Sequence, residues 1–487
     1  MRLRKGPHCC LPRVFAPRLF RIYKKPLLRA KSAPLCARLA SSTRLRTLML
    51  AIPVSFPDNF LWGVSTSSHQ FEGGNTLNQW HDWERAGHIR SGHACGDACD
   101  WWLNAERDLD LCAQLGLNAI RISLEWSRME PAYAHWSDSA VMRYREIIRE
   151  ARRRGMRVFV SLHHFTHPRW FEARGGFLDA QAPELFRHYA KRAVRSLGDL
   201  VTDWVTFNEP NVYAAFGYLF GEFPPGRLNE LNSALSVFSG MMRAHAAAYD
   251  VLHREQPEAN VGLAMHYVVF EPSRDNVLDR QLASAYDALF NRAAISYLQG
   301  EPLPLPFAMM AASVPECVGK IDFVGLNVYN RLHVRAPLGE KFGPGGLYVP
   351  KNVPQGDHGI AAPYGEAYPK VISAAVEAYA VLGRPMYVME NGVPDRADRI
   401  RPWLLVNSLR ELRHMWQLGY EVRGYFHWSL VDNFEWSEGW HLRFGLYALD
   451  ETTQQRIARP SAEIYRQIIA DNGIRREMLE QWEKAPA

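Results

Sequence analysis

The sequence predicts an α/β fold: a single (β/α)8 barrel with enlarged strand-to-helix loops. Three observations predict it, namely eight short apolar runs rich in β-formers, an amphipathic stretch after each, and polar residues gathered where the runs end. The runs are residues 60–68, 118–126, 157–165, 203–209, 260–267, 322–329, 385–390 and 422–430. The stretches of helical period are 104–116, 139–154, 181–197, 234–254, 279–299, 371–382, 402–418 and about 460–471. No repeat or low-complexity linker interrupts 58–475, so the barrel is read as one domain over 53–475, with an extension over 1–52 and a tail over 476–487.

The third observation is the one that points to chemistry. In such barrels the reactive groups sit at the C-terminal ends of the strands, where the loops surround a common mouth. Gln70, Arg121, His164, Asn208, Glu209, Asn327, Tyr329, Glu390 and Trp428 all fall at or just beyond run ends. Apolar residues would close the strands equally well, so charged groups there need another reason.

Composition narrows the class. The chain has 487 residues, 47% apolar and 22% charged, which suits a folded body with a large core. Its net charge of +6 is concentrated at one end: residues 1–57 hold nine Arg and four Lys, and no Asp or Glu precedes Asp58. The remainder carries 44 basic against 51 acidic residues, a net of −7, which argues against a nucleic-acid surface on the body. The acid-free arm has the look of a transit peptide, and a secretory signal or an over-long start before Met49 are the competing readings; the last, or a disordered extension, is preferred.

Seven cysteines scattered at 9, 10, 36, 95, 99, 112 and 317 read as free thiols, and a cytoplasmic location is expected, with organelle targeting or secretion left open by the arm. His93, Cys95 and Cys99 invite a zinc reading, but no second ligand pair follows at finger-like spacing. No apolar run approaches the roughly 20 residues of a membrane-spanning helix. No metal, cofactor, nucleic acid or membrane partner is expected; self-association into a homo-oligomer is compatible with the sequence.

Two segments carry the chemistry. "TFNEPN" (206–211) and "VMENGV" (388–393) each end a predicted strand with a glutamate, the fourth and the seventh, on opposite sides of the mouth. Alone, either glutamate reads as a helix cap or a surface ion pair. Together they supply what acetal hydrolysis requires: one carboxyl to protonate the leaving oxygen and one carboxylate beneath an oxocarbenium-like carbon. A separation of roughly 5–5.5 Å would dictate retention through a covalent glycosyl-enzyme.

These segments resemble the signatures of glycoside hydrolase family 1, the β-glucosidase family, and the similarity extends over nearly all of 56–470. The resemblance implies Glu209 as acid/base and Glu390 as nucleophile. It places Arg121 of "RISLEWSR" against the nucleophile and Tyr329 of "GLNVYN" as its hydrogen-bond donor, with Asn327 grouped beside them. A fixed cation would keep Glu390 ionised while nearby negative charge and partial burial hold Glu209 protonated. Gln70, His164, Asn208, Glu435 and Trp436 are implied around the sugar hydroxyls, and Trp428 as the stacking floor. Glu435 disfavours 6-phosphorylated sugars, because a carboxylate repels phosphate. "HHFT" (163–166) is similar to the branch that includes archaeal and thermophilic enzymes of broad specificity.

The expected activity is therefore retaining, exo-acting hydrolysis of terminal β-D-glucosides, with β-galactosides or β-fucosides as secondary substrates. A β-mannosidase or transglycosidase of the same fold is the runner-up. A non-catalytic sugar-binding protein is disfavoured by the presence of both glutamates. A metal-dependent hydrolase is disfavoured because His163, His164 and His167 lack partners on other strands. The leaving-group site, on loops 214–230 and 331–368, is not readable from the sequence.

Overall fold

A computed structural model describes residues 54–304, 306–336, 346–360 and 364–486. The extension read over 1–52, with Cys9, Cys10 and Cys36, lies outside the described residues. Eight parallel strands close a barrel: β1 (Leu61–Ser65), β2 (Ala119–Ser123), β3 (Arg157–His163), β4 (Asp203–Asn208), β5 (Asn260–Pro272), β6 (Phe323–Val334), β7 (Met386–Asn391) and β8 (Val422–His427). Each pairs with the next, β8 returns to β1, and β7 joins β6, so the ring has no free edge.

The helices outside the ring are α1 (Trp101–Leu115), α2 (Asp138–Arg153), α3 (Ala182–Leu197), α4 (Leu231–Glu255), α5 (Val277–Tyr286), α6 (Val371–Tyr379), α7 (Arg401–Gln417) and α8 (Pro460–Ala470). Helix α2 shows the local logic. Ser137 caps it by accepting from the Ala140 amide, and Val141, Tyr144, Ile147, Ile148 and Ala151 form its single buried stripe. The sequence pattern suggested one helix over 279–299, but α5 ends at Tyr286 and a π turn (Asp287–Asn291) precedes a separate helix (Ala293–Gln299). The break has a physical cause in Asn291. Its buried side chain exchanges two hydrogen bonds with the Val268 backbone on β5, which pulls the chain inward and breaks the helical register.

The barrel interior is filled below the mouth by Phe159, Phe323, Tyr387 and Phe426, with Ala119, Val205, Ala264 and Met389 between them. Ring centroids stand 5.2–5.8 Å apart in edge-on arrangements. Gly63 makes room for this layer: a Cβ there would lie 2.4 Å from the Phe426 ring. The aromatic floor seals the bottom of the mouth, so any polar group above it is cut off from solvent on that side.

Strands β5 and β6 run past their expected ends at 267 and 329, continuing as a ribbon in which Val269 to Pro272 pair with Arg331 to Val334. The ribbon leaves the barrel wall, and Leu347–Tyr348 and Glu366–Ala367 pair on β6 beyond it. At the other end, the segment expected as a tail carries a short helix (Arg476–Gln481) with Met478 and Leu479 buried, and the Trp482 carbonyl accepts from Asn407 of α7. Among the described residues no helix is long and apolar enough to cross a membrane.

Candidate active site

Both glutamates stand where a strand loses its regular register. Pairing of β4 with β5 shifts between Val205 and Asn208, and pairing of β7 with β6 shifts between Val388 and Glu390. A bulge re-aims side chains that strict alternation would send to the other face. In β7 both Met389 and Glu390 consequently serve the interior: Met389 packs in the floor and Glu390 reaches the polar layer above it.

Glu209 follows β4 in the left-handed region (φ 46°) and precedes a helix (Pro210–Tyr218) whose first residue is proline. Proline suits that first position because the amide it lacks has no helical partner there. The Glu209 amide donates to the Ala264 carbonyl at 2.7 Å, and Asn211 donates to the His266 and Phe290 carbonyls. In the second motif, Asn391 is a strut: it donates to Val328 O at 2.6 Å and accepts from the Tyr425 hydroxyl. Gly392 then lets the next loop close over it, since a Cβ there would sit 2.0 Å from the Trp428 carbonyl.

One hydrogen-bond chain joins the two carboxyls. Arg121 Nη2 donates to Asn208 Oδ1 at 2.8 Å and to Glu390 Oε1, and Tyr329 donates to Glu390 Oε2 at 2.5 Å. Asn327 Nδ2 donates to Asn208 Oδ1 at 2.9 Å and to Glu209 Oε1 at 2.7 Å. Arg121 is fully buried, and Glu209 and Glu390 are 6% and 3% exposed, so these contacts act with little screening by water.

Burial pushes the Glu390 carboxyl up to about 7; Arg121 pulls it down, Glu209 adds to the rise, and the Tyr329 hydroxyl opposes it. The guanidinium therefore offsets the desolvation only in part. Burial pushes Glu435 up to about 8, with Glu390, Glu209 and Glu438 adding to the rise. Of the three carboxyls Glu390 is the one paired with Arg121, and burial together with the neighbouring carboxyls favours the protonated forms of Glu390 and Glu435.

The other residues singled out in the sequence gather on the same mouth. Gln70, from the short helix Ser68–Glu72 after β1, donates to Asn433 Oδ1, Phe434 O and Glu435 Oε2, while its buried Oε1 has no partner among the described residues. His164 is engaged at both ring nitrogens: Asn208 Nδ2 lies 3.0 Å from Nε2 and Ser123 Oγ 3.2 Å from Nδ1. Burial and the Arg121 charge hold this imidazole well below its usual range, so it is neutral. The His164 ring stacks between Trp428 and Trp436, at 6.1 and 6.0 Å.

Three contributors were not singled out in the sequence. His266 Nδ1 lies 3.1 Å from Glu209 Oε1, Ser123 orients His164, and Asn433 holds Gln70. His266 stood near the end of a predicted strand, but nothing in the sequence set it apart from a buried core histidine.

Among the described residues no group of three His, Cys, Asp or Glu side chains could hold a metal ion. Cys95 and Cys99 donate to the His69 and Asp432 carbonyls, and His93 Nδ1 accepts from the Trp440 amide. His163 and His167 contact each other, and His167 pairs with Glu172.

Residues 52–301 and 308–474 match the family model described as glycosyl hydrolase family 1. The chain belongs to glycosyl hydrolase family 1. Membership of this family makes it a glycoside hydrolase, on the barrel the sequence predicted. A β-galactosidase of Pyrococcus woesei is 30% identical, with 88% of this chain and 99% of that protein aligned. A solved β-glycosidase from Pyrococcus horikoshii is 33% identical and superposes with a TM-score of 0.78 over 89% of this chain and 99% of its own. A β-glucosidase from Thermotoga maritima, solved in complex with glucoimidazole, is 28% identical with a TM-score of 0.78, covering 86% of this chain and all of that one.

Proposed function

We propose that Glu390 is the nucleophile and Glu209 the acid/base of a double displacement on terminal β-D-glucosides, with β-galactosides or β-fucosides as secondary substrates. The observation that carries this reading is the unequal set of partners around the two carboxyls. Glu390 receives a guanidinium and a phenol, both of which favour the ionised form a nucleophile needs. Glu209 receives an amide and an imidazole.

In the first step a carboxylate oxygen of Glu390 bonds to the anomeric carbon as the glycosidic C–O bond breaks and Glu209 gives its proton to the leaving oxygen. Esterification removes the negative charge of Glu390. Glu209 then takes a proton from water as the water oxygen bonds to the anomeric carbon and the ester breaks. The two displacements retain the anomeric configuration.

Gln70, Asn208 and Glu435 are proposed to hold the sugar hydroxyls. The unpartnered Gln70 Oε1 supports this, as does the arithmetic at Asn208, whose amide spends one of its two hydrogens on His164. For His164 to bind a hydroxyl it must exchange its Ser123 or Asn208 contact for the ligand. Trp428 is proposed as the floor beneath the C–H face and Trp436 as a wall. The glucoimidazole complex of the Thermotoga maritima enzyme supports a glucose-shaped ligand. Four buried free thiols, at Cys95, Cys99, Cys112 and Cys317, support a reducing, cytoplasmic setting.

The test is the anomer released first, read by NMR from an aryl β-glucoside, combined with azide rescue of Glu209→Ala. A β-anomer from the wild type and a β-glycosyl azide from the variant are expected. An α-anomer would refute the double displacement, and full activity of Glu209→Ala on unactivated glucosides would refute the acid/base role.

A further inference from the structure

We infer that His266 is a positioning residue for the hydrolysis, fixing the Glu209 carboxyl so that Oε1 is its acceptor oxygen and Oε2 is the oxygen that carries the catalytic proton. The inference rests on the reading of Glu209 as acid/base. His266 lies on β5 in register with Asn327 of β6, and the two side chains converge on one atom: Glu209 Oε1, 3.1 Å from His266 Nδ1 and 2.7 Å from Asn327 Nδ2. The hydroxyl oxygen of a protonated carboxyl is a poorer acceptor than its carbonyl oxygen. Asn327 Nδ2 donates to Oε1, and His266 is assigned the tautomer with its proton on Nδ1, so that it donates to the same oxygen and the catalytic proton is carried by Oε2.

The imidazole is held from several sides. Its ring stacks on Tyr329 at 5.5 Å and 19°, the edge of Phe290 stands 5.7 Å away, and its backbone carbonyl accepts from Asn211, two residues after Glu209. Among the described residues the ionisable groups in contact with it are Glu209 and Tyr329. Burial keeps the Tyr329 phenol well above its usual range, so it is neutral, and Glu209 is the one carboxyl within hydrogen-bond reach of the ring among the described residues.

The consequence is a bias in the proton's energetics. Each half-reaction interconverts Glu209 between acid and carboxylate. A donor fixed on Oε1 stabilises the carboxylate, and so assists departure of groups that must be protonated. Leaving groups that depart as stable anions draw little on that assistance.

The experiment compares wild type, His266→Ala and His266→Asn on a methyl β-glucoside and a 2,4-dinitrophenyl β-glucoside, with thermal melts of each variant. His266→Ala is expected to lower kcat/KM about tenfold on the methyl glucoside and under about threefold on the dinitrophenyl glucoside. The basic limb of its kcat/KM profile on the methyl glucoside should move up by about one pH unit, because a lost donor raises the carboxyl. His266→Asn, which keeps a neutral donor, should restore most of the loss. Equal losses on both substrates, an unmoved basic limb, or no restoration by asparagine would each overturn the inference.

Glu209→Ala runs in the same series. If it shows no dependence on the leaving group, the acid/base assignment itself fails. If it does and His266→Ala does not, only the role of His266 fails.

Discussion

Removing the Tyr329 hydroxyl isolates one contact on Glu390, the proposed nucleophile. In Tyr329→Phe the ring can keep its stack on His266, and Arg121 still pairs with Glu390 Oε1, but Oε2 loses a donor at 2.5 Å. A hydrogen bond to a charged group is worth about 1.5–3 kcal/mol net, and one pKa unit is about 1.36 kcal/mol, so the Glu390 carboxyl should rise by about one to two units. The acid limb of kcat/KM on aryl glucosides, which follows ionisation of the nucleophile in the free enzyme, should move to higher pH by that amount.

The same substitution makes a second demand, on stability. The folded-state value of Glu390 is already raised above that of an exposed carboxyl, to about 7. A carboxyl raised by folding contributes stability below its unfolded value, and that contribution is lost as pH rises through the folded value. Raising it further extends the loss to higher pH. The destabilisation of Tyr329→Phe relative to wild type should therefore be greater at pH 9 than at pH 5, by about 1–2 kcal/mol in urea melts. An acid limb that stays in place, or a stability difference equal at both pH values, would refute the reasoning that Tyr329 favours the ionised nucleophile.

Other perturbations have equally definite outcomes. Gly63→Ala should destabilise the barrel by about 1–3 kcal/mol in urea melts, because its Cβ would overlap the Phe426 ring, and Phe426→Leu should recover part of the loss. Gly392→Ala should lower both the melting temperature and kcat/KM, since its Cβ would overlap the Trp428 backbone carbonyl; thermal melts and steady-state kinetics check this. Gln70→Ala should cost about 10- to 100-fold in kcat/KM on a β-glucoside, read by steady-state kinetics, because it removes both the acceptor proposed for a sugar hydroxyl and the support of Glu435. A chelator should leave turnover unchanged, and chelator-sensitive turnover restored by a divalent metal would contradict the two-carboxyl chemistry.

Much of the architecture was legible because burial leaves a simple mark. Strands such as "NAIRISLEW" and "RVFVSLHHF" are mostly apolar, and Arg121 and His164 interrupt that pattern where they meet the site. Less legible was anything that depends on side-chain pairing at a distance. Asn291 broke an otherwise continuous helical pattern through a hydrogen bond to β5, which no local period records. The β5–β6 ribbon extends a pattern already assigned, and nothing in the residues after His266 says where the barrel wall ends.

The site followed the same division. Glu209 and Glu390 are identifiable from strand ends and motifs, but the bulges that turn both inward are set by pairing with neighbouring strands. His266 escaped notice because a single histidine in "GLAMHYVV" resembles any buried histidine until Glu209 is placed beside it. The charge balance was likewise invisible. At Glu390 burial outweighs Arg121, and the motif does not record how deeply the carboxyl is buried.

The most direct measurement is to trap the reaction at its midpoint with a 2-deoxy-2-fluoro-β-glucoside bearing a good leaving group, then locate the label by peptide mass spectrometry. A fluoroglucosyl group esterified to Glu390, released on reactivation with an acceptor sugar, is the predicted result. Stoichiometric inactivation with the label on any other residue, or turnover by the active enzyme through an inverted product with no trapped ester, would contradict the account.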